Sequence, residues 1–123
     1  MRDFRNYKAW ERAQQLAVGV YRVSANLPRL ETYGLQSQMR RAAISIPTNL
    51  AEGSGKDTKP EFARYLRIAT GSCNELESLL LLSIELEYLD YVDVEPIIQE
   101  VSEVRRMYIA LWKTVRKPVG NSS

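Results

Sequence analysis

The chain has 123 residues, of which 45% are hydrophobic and 26% charged, and its formal net charge is +2. This length suits one domain with its own core and is too short for two. No stretch approaches 18 consecutive apolar residues, so the sequence predicts no transmembrane helix. The first ten residues, MRDFRNYKAW, contain no apolar signal segment, which predicts a cytoplasmic location.

The residue types narrow the possible chemistry. Histidine, the commonest general base and transition-metal ligand, does not occur, and Cys73 is the only cysteine. We therefore predict a protein that is not an enzyme, with no catalytic residue, no metal site and no cofactor. A hydrolase or transferase that uses carboxylates such as Glu52 and Glu75 is the alternative, but no spacing in the sequence indicates a catalytic pair.

Apolar residues recur at helical spacing from the start of the chain. The first predicted helix ends near Asn26. The second begins near Thr32 or Gly34 and ends at Gly53 or Gly55, where glycine favours a left-handed C-cap. The inward-facing stripes are Trp10, Ala13, Ala17, Val20, Tyr21 and Ser24 in the first helix, and Leu35, Met39, Ala42, Ala43, Ile46 and Leu50 in the second.

Two more helices follow. Thr58 and Glu61 form a predicted capping box at the start of a third helix, which runs to about Leu89. Asp93 is the predicted N-cap of a fourth, which ends before Pro118. Because short connections make consecutive helices antiparallel neighbours, the sequence predicts an all-α, up-down-up-down antiparallel four-helix bundle over residues 1–118. Residues 119–123 are predicted to form a flexible C-terminal tail.

The charges are unevenly distributed along the chain. Residues 1–30 carry six basic side chains against two acidic ones, residues 61–92 carry two against six, and the last segment is mildly basic. This pattern suggests faces of different sign, and a basic face attracts phosphate unless it is simply solvated surface. The candidate nucleic-acid-binding residues are Arg5, Lys8, Arg12 and Arg22 in the first segment, and Arg106, Lys113 and Lys117 in the fourth helix. Arg105, on the core stripe of that helix, is predicted to pair with a carboxylate of the third.

The second and third helices carry more apolar residues than one core stripe requires. A second apolar set points away from the core, and monomers rarely leave such a set in water. We therefore predict self-association, although contact with two neighbours inside the bundle would absorb part of the excess. The candidate interface residues are Arg40, Arg41, Ile44, Pro47, Ala51 and Glu52 in the second helix, and Ile68, Glu75, Leu79, Leu82 and Leu86 in the third.

Three motifs carry a family resemblance: RRAAISIPTNLAEG, preceded by YGLQSQ and followed by EFARYLRIATGSCNELE. Over residues 4–90 this combination resembles the bacterial four-helix-bundle family of 23S rRNA intervening-sequence proteins. The resemblance implies a doughnut-shaped homopentamer. It also implies a relation to accessory proteins of diversity-generating retroelements, which bind a reverse transcriptase and nucleic acid. The motif positions that it implies for fold and ring are Gln38, Arg41, Asn49, Glu52, Gly71, Ser72, Glu75 and Glu77.

These observations lead to two predictions of function. The first is a non-enzymatic homo-oligomer whose basic surface binds RNA or DNA, in a ribosomal or retroelement setting. The alternative is an adaptor, in which the ring scaffolds a partner enzyme such as a reverse transcriptase and nucleic-acid contact is incidental. Neither prediction involves a membrane.

Overall fold

The computed structural model describes residues 2–117, which form four long helices. The helices are α1 (Lys8–Ser24), α2 (Leu35–Ser54), α3 (Lys59–Glu85) and α4 (Tyr91–Val115). Each helix packs on the next along the chain, and α1 also packs on α4, which closes the bundle. Within the described residues there is no strand, so the predicted all-α class with four helices is confirmed. The predicted tail, residues 119–123, lies outside the described residues.

One apolar core runs through the bundle. All six stripe residues predicted for α2 are buried, as expected for a helix that contacts two neighbours. The stripe predicted for α1 is rotated by part of a turn, since Leu16 and Val23 are buried whereas Tyr21 is exposed. Tyr21 lies outside the core, where the Arg40 guanidinium of α2 is 4.4 Å from its ring centre.

The turn between α2 and α3 confirms one prediction and overturns another. The Thr58 hydroxyl accepts a hydrogen bond from the Glu61 backbone N–H (3.3 Å), which confirms Thr58 as the N-cap. The Glu61 carboxylate accepts from the Thr58 hydroxyl (3.0 Å) and not from its backbone N–H, so the reciprocal bond of a capping box is replaced by a contact between the side chains. The predicted left-handed C-cap of α2 is wrong, because Gly55 has a φ of −88°. Glycine is required at position 53 for a different reason: a Cβ there would lie 2.6 Å from the Cβ of Tyr65.

The turn between α3 and α4 starts earlier than predicted. α3 ends at Glu85 instead of near Leu89, and Glu87 adopts a left-handed φ of 61°. In this conformation the Ser83 carbonyl accepts hydrogen bonds from the backbone N–H groups of Tyr88 (3.0 Å) and Leu89 (3.2 Å). The helix therefore ends on a left-handed residue that is not glycine, and no sequence signal marked it.

The start of α4 also differs from the prediction. The helix begins at Tyr91 with Asp90 in the N-cap position, and the Asp90 side chain makes no capping hydrogen bond. Asp93, the predicted N-cap, lies in the first turn, where its charge complements the positive end of the helix dipole.

Polar contacts join α4 to α2 and to α3. Tyr108 is fully buried, and its hydroxyl donates a hydrogen bond to the Ile46 carbonyl of α2 (2.8 Å). Burial raises the pKa of this phenol well above its ordinary value, so it stays a donor. Arg105 forms an ion pair with Glu77 of α3 (2.8 Å), which confirms the predicted pairing with the third helix.

Candidate nucleic-acid interface

Charge is separated along the axis of the bundle. Residues 2–8, 52–67 and 112–117 form one end, which carries ten basic side chains and four acidic ones. Residues 22–41 and 77–95 form the opposite end, which carries four basic side chains and seven acidic ones. We call them the basic end and the acidic end. A charge separation of this size gives the molecule a strong preference for which end a polyanion approaches.

The separation runs within single helices. In α3, Arg64 and Arg67 lie near the start, at the basic end, whereas Glu77 and Glu85 lie near the other terminus. One helix therefore carries opposite charge at its two ends. Assigning one sign of charge to each helix, as the sequence suggested, places the basic surface wrongly.

The predicted residues in and before α1 do not form a single surface. Lys8 is exposed at the basic end, whereas Arg22 lies about 21 Å further along the helix, at the acidic end. Arg5 makes an exposed ion pair with Asp3 two residues before it (3.0 Å). Arg12 makes a bidentate pair with a carboxylate of α4 through contacts of 2.8 and 3.0 Å, so it joins two helices and is not available to a ligand.

The predicted residues in α4 are likewise divided. Arg106 makes an ion pair with Glu103 one turn earlier (2.5 Å), and the hydrogen bond from its guanidinium lowers the pKa of that carboxyl. Lys113 and Lys117 are exposed at the basic end. Neither lysine is paired with a carboxylate within residues 2–117. Two of the three predicted cations are therefore placed where a polyanion can reach them.

The strongest basic surface was predicted only in part, because Lys113 and Lys117 were named from the sequence whereas Arg64, Arg67 and Arg116 were not. No acidic residue occurs in residues 62–74 of α3 or in residues 104–117, and these two stretches are neighbours in the bundle. We call their unpaired cations the α3–α4 basic face, which consists of Arg64, Arg67, Lys113, Arg116 and Lys117. No carboxylate in the described part of the chain pairs with any of the five. The sequence signal that could have located this face is the absence of Asp and Glu from both stretches.

An aromatic side chain lies in the middle of this face. The guanidinium carbons of Arg67 and Arg116 lie 5.3 and 4.4 Å from the ring centre of Trp112, which is half-buried. Beside it is a cleft of about 320 Å³, lined by Arg67, Thr70, Ile109 and Trp112. Cations interleaved with an accessible aromatic ring are typical of surfaces that bind single-stranded nucleic acid.

One basic residue of the basic end has a structural role. The Arg2 guanidinium donates hydrogen bonds to the carbonyls of Ser54 (3.3 Å) and Lys56 (3.0 Å), and its carbon lies 4.9 Å from the ring centre of Phe62. Arg2 thereby satisfies carbonyls at the C-terminus of α2, which helical hydrogen bonds leave free.

Most of the predicted self-association residues lie on the outer surface of α2 and α3. The four apolar ones, Ile44, Ile68, Leu82 and Leu86, are between 42% and 47% exposed. We call the exposed set the α2–α3 outer face, which consists of Arg41, Ile44, Glu52, Ile68, Glu75, Leu82 and Leu86. This much apolar surface on two adjacent helices is more than isolated surface leucines would explain.

Other residues of that predicted set face inward. Pro47 is buried, Ala51 is half-buried, and Leu79 packs against the core. Arg40 donates hydrogen bonds to the Ser24 hydroxyl (2.9 Å) and the Tyr21 carbonyl (3.0 Å). Pro47 is therefore inside the bundle and Arg40, Ala51 and Leu79 are only partly exposed, because the contact between α1 and α2 and the packing of the helices on one another use part of the apolar excess.

A groove of about 450 Å³ lies between α2 and α3 within the outer face. Arg41 and Glu75 line it, and its floor includes the hydrogen-bonded hydroxyls of Ser45 and Ser72 (2.7 Å). Arg41 and Glu75 make no ion pair with any other side chain of residues 2–117. The groove thus offers one unpaired charge of each sign to a partner surface.

The described residues do not assemble a catalytic pair from the carboxylates considered in the sequence. Glu52 accepts a hydrogen bond from the Tyr65 hydroxyl (3.4 Å), whereas Glu75 lies ten residues beyond Tyr65 in α3, or about 15 Å. Cys73 is buried, and burial raises the pKa of its thiol to about 12. Residues 2–117 contain no group of three His, Cys, Asp or Glu side chains that would hold a metal ion.

The fold and the sequence both have known relatives. Residues 5–110 match the model of the 23S rRNA-intervening sequence protein family. The chain belongs to this family. The fold is similar to that of a crystallised protein of unknown function from Bacteroides thetaiotaomicron, assigned to the S23 ribosomal protein family. The two share 24% identity with a TM-score of 0.79, over 85% of this chain and 98% of the other. No curated protein matches the chain.

The family match ends before the last turns of α4. Residue 110 is its limit, so Trp112, Lys113 and Arg116 of the α3–α4 basic face lie beyond it. None of the four helices described for this family member is long and apolar enough to cross a membrane.

Proposed function

We propose that this family member is a non-enzymatic, cytoplasmic homo-oligomer that binds nucleic acid through its basic end. The separation of charge along the bundle carries the proposal. The α3–α4 basic face has five cations without carboxylate partners, and a phosphate backbone gains affinity from such cations by releasing its condensed counterions. Among the described residues, Arg64 lies over the Tyr65 ring and Arg67 and Arg116 lie over the Trp112 ring, and none of the five cations pairs with a carboxylate.

Self-association completes the proposal. The α2–α3 outer face would be covered by another copy of the chain, since closed symmetric assembly is the usual fate of such a surface. A homopentameric ring is the assembly that the family resemblance implies. In a ring the basic ends of all subunits would form one continuous band. Each subunit would add its excess positive charge to this band, which would give a polyanion a larger binding surface.

Equilibrium binding to a structured RNA and to duplex DNA across a salt series tests the nucleic-acid part. We expect affinity to fall with salt, with a logarithmic slope of about −0.9 per phosphate contacted on duplex DNA. The variant Arg64→Glu/Lys113→Glu reverses two cations of the α3–α4 basic face. It should lower the magnitude of the slope by about 2 and affinity at low salt by roughly tenfold or more.

A matched variant provides the control. Arg22→Glu/Arg29→Glu makes the same change in net charge at the acidic end and should retain most of the affinity. Equal losses in the two variants would show that only net charge matters and would refute the assigned surface. If the unaltered protein binds neither nucleic acid at low salt, nucleic-acid binding is refuted.

Sedimentation equilibrium tests the self-association part. Ile68→Arg/Leu82→Arg places two charges on the α2–α3 outer face and should dissociate the oligomer while helical content is retained. Val18→Arg is the control, because Val18 is an exposed apolar residue of α1, away from that face. An oligomer unaffected by the double variant, or a monomeric unaltered protein, would contradict the proposed interface.

The adaptor function remains a second candidate because of the acidic end. A groove of about 440 Å³ on α3 is lined by Glu77, Leu81, Leu82 and Glu85, among others. Its acidic and apolar lining repels nucleic acid and suits a basic, amphipathic protein segment. A copurifying protein that stays bound after nuclease treatment in high salt, and is released by Glu85→Lys, would support this function.

A further inference from the structure

We propose that the cleft beside Trp112 binds one unpaired base of a single-stranded nucleic acid, while the α3–α4 basic face holds the adjoining phosphates. This inference rests on the proposed nucleic-acid binding. It adds the form of nucleic acid that is preferred, single strand over duplex, and the place where a base is bound.

The cleft is built from two antiparallel helices in register. Arg67 and Thr70 stand one turn apart on α3, and Ile109 and Trp112 stand one turn apart on α4. The Thr70 hydroxyl donates its hydrogen bond to the Arg67 backbone carbonyl (2.7 Å), which leaves the hydroxyl oxygen as an acceptor. The cleft therefore combines an apolar wall, a cationic donor and a polar acceptor.

The size and chemistry of the cleft suit a base. Its volume of about 320 Å³ is at the lower limit of small-molecule pockets, so the occupant is a small group. Ile109 is 38% exposed and the indole of Trp112 is half-buried, so a planar apolar group can reach both. Bases stack on aromatic rings and on guanidinium planes alike, and the cleft offers both kinds of surface. A paired base keeps its faces inside the duplex and cannot enter.

The surroundings suit the phosphates that accompany a base. Lys113, Arg116 and Lys117 follow Trp112 within five residues, and no acidic residue occurs in residues 62–74 or 104–117. Each phosphate next to a bound base would meet a cation without an opposing carboxylate. Arg67, Thr70 and Ile109 lie within the span that matches the family model, whereas Trp112 lies two residues beyond it.

Tryptophan fluorescence tests the base-binding cleft directly. The chain has two tryptophans, and Trp10→Phe leaves Trp112 as the only one. The probes are a single-stranded oligouridylate, a duplex RNA of the same length and an abasic sugar-phosphate oligomer of the same length. We expect the single strand to quench Trp112 and to bind roughly tenfold more tightly than the abasic oligomer. The duplex and the abasic oligomer should bind without quenching.

A pair of variants separates base binding from phosphate binding. In the protein with Trp10 intact, Trp112→Leu should lower affinity for the single strand to that for the abasic oligomer, and leave the latter unchanged. Ile109→Ser, at an exposed position, should also reduce the ratio of affinity for the single strand to affinity for the abasic oligomer. The test therefore does not depend on the folding of the Trp112 variant. Arg64→Glu/Lys113→Glu should lower the affinity for all three probes by a similar factor.

The possible failures are distinguishable. Equal affinity for the single strand and the abasic oligomer, with all probes still weakened by Arg64→Glu/Lys113→Glu, would overturn the base-binding cleft and leave the proposed function standing. Quenching by the duplex equal to that by the single strand would overturn the single-strand preference. No binding of any probe at low salt would overturn both proposals.

Discussion

The two ends of the bundle reverse the chain in different ways and carry opposite charge. At the basic end, Arg2 binds carbonyls at and just beyond the end of α2, Thr58 caps α3, and Gly53 lets the two helices touch. In the α3–α4 turn of the acidic end, the chain reverses through Glu87 in a left-handed conformation, and Asp90 leads into α4 without a side-chain cap. The α2–α3 turn is thus specified by side-chain contacts, and the α3–α4 turn largely by backbone geometry.

The cations of the basic end have two roles: some hold the fold together, and others are left without a carboxylate partner. Arg2 and Arg5 belong to the basic end, but their guanidinium groups are used by backbone carbonyls and by Asp3. Arg64 and Lys113 are free of such partners among residues 2–117 and define the surface that a phosphate can reach.

Removing the close approach at the basic end should have the largest effect on stability. In Gly53→Ala the new Cβ would lie 2.6 Å from the Tyr65 Cβ and 3.0 Å from a ring carbon of Phe62, so α2 and α3 must separate. We expect a loss of about 2 kcal/mol in the free energy of unfolding, within the range for overpacking, measured by urea denaturation.

A second glycine in the same pair of helices provides the control. A Cβ at Gly71 would meet nothing within 4 Å, so Gly71→Ala should stabilise the protein by about 0.5–1 kcal/mol through helix propensity. If Gly53→Ala is as stable as the unaltered protein, the contact between α2 and α3 does not distinguish the two ends.

Loss of the Arg2 contacts should have the next largest effect. Arg2→Ala leaves carbonyls of Ser54 and Lys56 without their guanidinium donor and uncovers the Phe62 ring. Because the contacts are only partly buried, we expect a loss of about 1 kcal/mol in the free energy of unfolding. Arg2→Lys should recover only part of it, since an ammonium group does not reproduce the planar array of donors. Full recovery by lysine would show that charge alone is required.

Local patterns in the sequence predicted most of the fold. The helical period located all six core residues of α2, and the three-residue spacing of Thr58 to Glu61 located the start of α3. Arg105 was paired correctly with α3 because a cation on a core stripe needs a carboxylate on the neighbouring helix. These features succeed because each depends on residues one or two turns apart, or on a neighbour that the topology already determines.

The basic end was predicted only in part, through Arg5, Lys8, Lys113 and Lys117, because it joins three distant segments. Residues 2–8, 52–67 and 112–117 meet only when helix lengths and rotations are known, and a shift of a few residues would move a cation to another side. The contact of Arg67 with Trp112 depends on the same register. The left-handed φ of Glu87 is also absent from any local pattern, since glutamate does not favour that conformation and tertiary packing imposes it.

Relieving the strain at the acidic end should have a smaller and opposite effect. Glu87→Gly removes the Cβ from a residue with a φ of 61°. The strain that is removed exceeds the added entropy of glycine in the unfolded chain, so we expect a gain of about 0.5–1 kcal/mol in the free energy of unfolding. Glu87→Ala removes the same charge and keeps the strain, so it should give no such gain. Equal gains in both variants would attribute the effect to the acidic charge.

The smallest predicted effect concerns the pairing of Arg5. The Asp3 carboxylate accepts hydrogen bonds from the Arg5 guanidinium (3.0 and 3.2 Å), which lower the pKa of Asp3 below its usual 3.8. The pair's contribution is therefore present above the ordinary aspartate pKa and is lost as pH falls through the lowered value. An NMR titration of the Asp3 carboxyl should show this lowered pKa, and Arg5→Gln should return it toward 3.8.

The same pair tests whether availability or number of cations determines binding. Asp3→Asn releases Arg5 at the basic end and should raise affinity for nucleic acid about twofold at low salt, since one more cation can neutralise a phosphate. Asp93→Asn makes the same change in net charge at the acidic end and should change affinity less. If both variants raise affinity equally, the field of the whole molecule governs binding and the pairing of individual cations does not. A larger gain for Asp3→Asn would mean that the basic end binds through those guanidinium and ammonium groups that no carboxylate already holds.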